Sequence, residues 1–146
     1  MVAAEPSPLD RRVAATQQLL DDWKGRPFDW KAKQHCVRMV AEHLRRMGYT
    51  PPLAKAGAYS SALGARRAMK RVGVDTLSEA VDLMSFPRIA PAAALVGDIV
   101  ELPGEDPGAL AVALGNGRVL GWHPDADGAV VVQPLEYVAA WRVDPR

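Results

Sequence analysis

The spacing of the hydrophobic residues changes part-way along this 146-residue chain, and that change constrains the fold more than any other feature. Between residues 9 and 86 the hydrophobic residues recur at every third or fourth position, which is typical of amphipathic helices. Between residues 96 and 143 they alternate, which is typical of strands. Because the helices precede the strands, the sequence predicts an α+β fold with helices packed on a small antiparallel sheet. The length fits one domain over residues 1–146.

Capping and stop residues divide the helical part into four predicted helices. Serine or threonine stands before three of them, and glycine or proline follows where each must end. The predicted helices run from Ser7 to Gly25, from about Lys33 to Gly48, from Ser60 or Ser61 to about Arg71, and from Thr76 to just before Pro87. Residues 1–8 are predicted to form a flexible tail.

The sheet part contains short strands separated by turn residues. Strands are predicted over residues 98–102, 109–114, 118–122, 129–132 and 141–143. The Asn116-Gly117 pair predicts a tight hairpin between the second and third of these strands. Residues 134–140 are predicted to form a helical turn before the last strand.

The composition excludes several classes of protein. No apolar run approaches the roughly 20 residues that cross a bilayer, so membrane insertion is not expected. The first residues lack the basic-then-apolar order of a secretory signal. The single cysteine excludes a disulfide framework and a cysteine-rich zinc site, and it fits synthesis in a reducing cytosol.

The charge is distributed unevenly although the net charge is only +1. Residues 1–90 carry 15 Lys and Arg against 9 Asp and Glu, whereas residues 91–146 carry 3 against 8. Nucleic-acid binding would require a more basic domain, so no nucleic-acid partner is expected. The asymmetry is consistent with contacts between protein subunits, or with nothing more than solvated faces.

Cys36 is the residue with the clearest chemical potential. It stands near the start of the second predicted helix, where unpaired N–H groups and the helix dipole favour a thiolate nucleophile. The neighbouring His35 would project about 100° away around the helix, which aims it poorly as a base. Cys36 also shares an apolar stripe with Val40 and Leu44, as a buried structural cysteine does. His43, about two turns along, is expected at the surface.

The order of these elements resembles that of a known family. A helix headed by Cys36, then Gly-Asp-Ile-Val at 97–100, then a strand running into Leu-Gly-Asn-Gly-Arg at 114–118 are similar to the NlpC-type papain-like cysteine peptidases. Those enzymes hydrolyse peptide bonds in bacterial peptidoglycan. Residues 26–30, 35–36, 59–64 and 140–143 resemble a small divergent branch encoded in tail-gene clusters of phages and prophages. The resemblance spans about residues 10–143 and implies a papain-like fold.

The resemblance implies a nucleophile without its usual partners. The family's nucleophile falls on Cys36, but its Asp-Cys-Ser-Gly pattern is replaced by His-Cys-Val-Arg at 35–38. The base position falls on Ala109 and the third polar residue on or near Gly121, and neither side chain can accept a proton. His123 lies two residues beyond Gly121 and shares its strand face, so a Cys36–His123 dyad is the alternative.

Other residues fit binding better than catalysis. Phe28 and Trp30 in the aromatic loop and a basic cluster on the third helix are candidate binding residues, the cluster comprising Arg66, Arg67, Lys70 and Arg71. A solvated amphipathic face is the simpler interpretation of that cluster. Asp125 and Asp127 lack the rest of a calcium-binding loop, so neither a metal nor a cofactor is expected.

The function expected from the resemblance is structural. The chain would be an adaptor in a phage tail tip or baseplate, made in the bacterial cytoplasm, carried in the virion and bound to other tail proteins. It would use a peptidase fold whose catalytic apparatus is lost. One alternative is an active tail-associated peptidoglycan endopeptidase with Cys36 as nucleophile and His123 as base. Another is a cytoplasmic host adaptor that binds proteins and has no connection to a phage.

Overall fold

The computed structural model describes residues 5–51, 60–104, 108–123 and 126–146. Four α-helices lie within these ranges, and each begins directly after a side-chain N-cap. They are α1 (Pro8–Trp23), α2 (Cys36–Arg46), α3 (Ala62–Arg71) and α4 (Leu77–Asp82), capped by Ser7, His35, Ser61 and Thr76. The caps satisfy backbone N–H groups that the first helical turn leaves without partners.

The described strands form one antiparallel sheet of six. They are β1 (Arg88–Ile89), β2 (Ile99–Leu102), β3 (Ala109–Gly115), β4 (Arg118–Gly121), β5 (Val130–Val132) and β6 (Ala139–Trp141). Their order across the sheet is β1-β6-β2-β3-β4-β5. The last strand of the chain therefore lies between the first two, and the predicted α+β class is confirmed.

Three local predictions were wrong. The second helix begins at Cys36 rather than near Lys33, because Asp29 accepts N–H groups of the residues that follow it and pairs with Gln34 in an isolated bridge. Residues 134–140 form no helical turn, and the last strand is Ala139–Trp141 instead of 141–143. Strand β1 was not predicted at all.

The sheet has two different faces. One face packs against the helices, and its core includes Leu19, Trp23, Leu44, Ile99 and Trp141, all at most 1% exposed. The opposite face carries smaller side chains, and Ala94 and Tyr137 pack against it from outside the strands. Its buried members are Val100, Ala111, Ala113, Val119 and Ala140. Neighbouring residues of a strand point to opposite faces, so this division decides which side chains meet the helices.

A buried carboxylate connects α1 to the sheet and the C-terminal segment. Asp98 is fully buried and accepts hydrogen bonds from the Arg12 and Arg142 side chains and from the backbone N–H groups of Leu95 and Val143, at 2.8–3.0 Å. Arg12 also donates to the carbonyl of Val96. Four donors compensate the cost of burying this charge.

In the parts of the chain described, none of the helices has the length and hydrophobicity needed to span a membrane.

Candidate functional site

Cys36 lies where α2 meets the sheet. It is the first residue of α2, and the Nδ1 atom of His35 caps the helix by accepting the N–H of Arg38 at 3.3 Å. The residue as a whole is half-buried, but its sulfur is enclosed by protein and packs beside the main core. The backbone N–H groups of Leu110 and Val37 lie against the sulfur. The nucleophile position implied by the resemblance is thus next to the first residues of β3.

Burial raises the pKa of the Cys36 thiol above its ordinary value. The nearby N–H groups lower it, the negative charge of Glu101 raises it, and the result is a raised pKa. A helix N-terminus would by itself favour the thiolate. Here the loss of hydration outweighs the helix, so the thiol is protonated at neutral pH.

Glu101 is a member of this site that the sequence analysis did not select. It is only 6% exposed, and its side chain accepts a hydrogen bond from the Ser78 hydroxyl at 2.9 Å. Burial raises the pKa of Glu101, while the hydrogen bond from Ser78 and the charge of Arg88 lower it. The strand pattern indicates that the Glu101 side chain points toward the helices, because Glu101 is two residues from the buried Ile99 and so shares its inward face.

Ala109 and Gly121 lie on the sheet face away from the helices, and neither contributes a proton acceptor to Cys36. Ala109 is the first residue of β3 and precedes Leu110, which touches the sulfur. A Cβ atom on Gly121 would lie 3.3 Å from the Cβ of Ala111, so the two residues share one face. Alternation along β3 places Ala109 on that same face, opposite to the helices.

Aromatic rings line the other side of the site. The Trp30 ring lies 5.1 Å from the His35 ring, and the Phe28 ring lies 5.1 Å from Trp30 and 5.6 Å from Trp122. Trp122 continues the series to the buried Trp23 at 5.8 Å. Phe28 is 45% exposed, so the series runs from the core to the surface beside the start of α2. The structure therefore brings Trp30 against His35, the residue before Cys36, and packs Phe28 on Trp30.

Backbone pairing holds this aromatic loop in place. The N–H of Gly25 donates to Ala129, whose own N–H donates to Arg26, and the Trp122 indole donates to the same Arg26 carbonyl at 2.8 Å. A Cβ on Gly128 would collide with the carbonyl oxygen of Gly25. A glycine at 128 is therefore required for the loop to approach β5.

His123 is exposed at the end of the stretch that follows β4. It follows Trp122, and its carbonyl accepts the N–H of Ala126 at 3.0 Å. Pro124 and Asp125, and Tyr59 from one of the sequence motifs, lie outside the described residues. The Cys36–His123 dyad stays a prediction.

Comparison with protein families matches residues 9–143 to a domain of unknown function, DUF6950. The chain belongs to this family. No curated protein matches it significantly. The matched range includes Cys36, Glu101, Ala109, Gly121 and His123, so the whole candidate site lies within the DUF6950 domain.

The basic cluster of this DUF6950 domain lies on an exposed helix face. Only Ala65 and Met69 of α3 are buried, whereas Arg66, Arg67, Lys70 and Arg71 are exposed. The cluster repeats like charges at a spacing of four residues, which destabilises a helix slightly.

Within the ranges described, no group of three side chains suited to holding a metal ion exists.

The prediction that His43 lies at the surface was wrong. His43 is fully buried, with Nε2 2.8 Å from the carbonyl oxygen of Gly97. Burial lowers the pKa of His43 to about 4, and the positive charges of Arg46 and Arg12 act in the same direction. The number of helical turns between Cys36 and His43 does not decide which face of α2 His43 occupies. His43 lies seven residues after Cys36 and therefore shares its apolar face of the helix.

Proposed function

We propose that this DUF6950 domain is a non-catalytic structural or adaptor subunit of a phage tail tip or baseplate, built on a degenerate papain-like peptidase fold. The observation that carries the proposal is the state of Cys36. Its sulfur is enclosed by protein and lies near a carboxylate, and both effects raise its pKa. A protonated thiol is a poor nucleophile at neutral pH.

The surroundings of Cys36 support the loss of catalysis. A cysteine peptidase needs a base that takes the thiol proton and a third group that orients the base. The residues at the two corresponding positions are Ala109 and Gly121, and the acidic group near the sulfur, Glu101, is hydrogen-bonded to Ser78. These replacements favour a domain that retains the shape of an enzyme without its chemistry.

Two exposed surfaces provide contacts for a protein partner. The Phe28–Trp30 loop offers aromatic rings, which contribute strongly to protein interfaces. The basic cluster on α3 offers four positive charges of one sign, and an acidic surface on a tail protein would offset their mutual repulsion. The proposal places the domain in the virion, bound to neighbouring tail proteins, after synthesis in the bacterial cytoplasm.

The first test measures the chemistry of Cys36. Iodoacetamide labelling of the native protein is expected to be slow at neutral pH and to accelerate only above the ordinary range of thiol titration, with Cys36→Ala as the unlabelled control. Purified peptidoglycan incubated with the wild type is expected to release no fragments. Release that disappears in both Cys36→Ala and His123→Ala would establish the peptidase alternative and overturn the proposal.

The second test addresses the partner. The proteins encoded by the genes flanking this one are co-expressed with the domain, and complexes are measured by co-purification. We expect one of them to bind, and we expect Arg67→Glu together with Arg71→Glu to weaken binding by about tenfold or more. Phe28→Ala tests the aromatic loop separately. Flanking genes without tail proteins, and absence of the domain from purified particles, would favour a host adaptor instead.

A further inference from the structure

An apolar groove runs along α1. It has a volume of about 680 Å³ and lies between α1, the segment 92–96 and the turn that joins β3 to β4. Its apolar lining includes Val13, Leu20, Leu95 and Leu114. Val13 is 49% exposed and Leu95 45% exposed, which is high for residues that a monomer would cover.

A projecting apolar segment follows β5 and reaches the β3–β4 turn through Tyr137. Leu135 is 99% exposed, the highest value among the large hydrophobic residues described, and Val138 is 55% exposed. The Tyr137 hydroxyl between them donates to the carbonyl of Gly117 at 3.4 Å, which ties the segment to the β3–β4 turn. Gly117 also lines the groove, so the projecting segment and the groove both adjoin the β3–β4 turn.

An acidic residue lies beside the projecting segment, and a basic residue lies beside the groove. Glu136 is exposed beside Leu135, and Arg118 is exposed directly after the turn residue Gly117 that lines the groove. Among the described residues, neither side chain forms an ion pair. Within one molecule the acid lies beside the projection and the base lies beside the groove.

We propose that two copies of this chain form a symmetric dimer in which Leu135 of each copy enters the groove of the other. A two-fold interface brings the same surface of both copies together. A surface that carries both a projection and its matching groove therefore forms the same contact twice, once in each direction. In this arrangement Glu136 of one copy faces Arg118 of the other at the rim of the groove, which fixes the orientation. The occupant of the groove is thus a second copy of the chain, independently of the function proposed above.

The test is the oligomeric state of the full chain in solution. Sedimentation velocity over a range of concentrations is expected to show a monomer–dimer equilibrium. Leu135→Asp and Val13→Asp are each expected to weaken it by about tenfold or more, because each buries a charge in an apolar contact. Leu83→Asp is the matched control, since Leu83 is 57% exposed but lies after α4 and outside this surface.

A charge exchange distinguishes this dimer from any other. Glu136→Arg and Arg118→Glu are each expected to weaken association, and the chain that carries both is expected to recover it because the pair is re-formed across the interface. Circular dichroism verifies that each variant is folded. A wild type that stays monomeric at all concentrations, or a dimer that is insensitive to Leu135→Asp, would overturn the proposal and leave the groove to a different partner.

Discussion

At the scale of single residues, burial does most to raise the pKa of the Cys36 thiol, and the charge of Glu101 adds to it. We predict that Glu101→Gln lowers the pKa of the thiol, because the substitution removes a nearby negative charge that disfavours the thiolate. The pH at which iodoacetamide labelling reaches half its maximal rate should therefore fall in the variant. Glu5→Gln, which removes an exposed charge elsewhere, is the control and should leave the labelling profile unchanged. Equal profiles for wild type and Glu101→Gln would contradict this view of the site.

Buried His43 makes stability depend on pH. Its pKa is about 4 in the folded chain and near 6.5 when unfolded, so between these values the unfolded state binds more protons. Stability from this residue is therefore fully present above about pH 6.5 and is lost as the pH falls toward 4, by on the order of 3 kcal/mol. The raised pKa of Glu101 acts in the opposite direction and offsets part of the loss.

Urea unfolding at pH 7 and pH 5 tests this prediction. The wild type should lose stability between the two values, whereas His43→Gln, which retains a donor for the Gly97 carbonyl, should show a smaller loss. A pH dependence that is unchanged in His43→Gln would assign the effect to other groups, and Glu101→Gln then measures the carboxyl contribution separately.

The sequence alone allowed part of the site to be predicted at this scale. The position of Cys36 at a helix start followed from local signals, and the structure has it there. The enclosure of its sulfur did not, because it depends on Leu110 and Glu101, which are far from Cys36 in the chain. The seven-residue spacing between His43 and Cys36 predicts that His43 is buried, but histidine is a polar residue type, which favours exposure.

At the scale of secondary-structure elements, Asp98 connects α1, β2 and the C-terminal segment. We predict that Asp98→Ala destabilises the domain by about 3–5 kcal/mol, because it leaves the 3% exposed Arg12 without its buried partner. Asp144→Ala is the matched control, since Asp144 is the exposed partner of the same guanidinium, and it should cost at most about 1 kcal/mol. Equal losses of unfolding free energy in the two variants would show that the buried ion pair contributes no more to stability than the exposed one.

The elements that sequence patterns missed are those decided by distant contacts. β1 is two residues long and exists through its pairing with β6, so residues 88–89 have no local signal of their own. Residues 134–140 have helical spacing, yet Tyr137 packs on the far face of the sheet and the chain enters β6 at Ala139. Tertiary pairing overrode propensity in both segments.

At the scale of the whole molecule, the sheet depends on its last strand. β6 pairs with β1 on one side and β2 on the other, although it comes 37 residues after β2. We predict that a chain ending at residue 138 does not fold, because it loses the buried Trp141 and Val143, leaves β1 without a partner and leaves β2 with an open edge. Deleting residues 1–5 is the control and should preserve the native circular dichroism and the cooperative unfolding transition. A folded truncated chain would contradict this prediction.

The fold class followed from the sequence because the change of hydrophobic period is a global property that few local errors alter. The strand order did not follow, since the interior position of β6 reflects long-range pairing rather than any pattern in residues 139–141. The family match and the charge asymmetry likewise concern the entire chain, and neither of them identifies a partner.

The interior position of β6 has a consequence for synthesis. A ribosome releases the C-terminus last, so the emerging polypeptide has its helices and most of its strands before the segment that joins β1 to β2 leaves the exit tunnel. Until residues 139–141 emerge, β2 presents an open edge that neighbouring nascent chains can pair with. The domain therefore completes its sheet only once this segment has left the tunnel, and before then it depends most on chaperones.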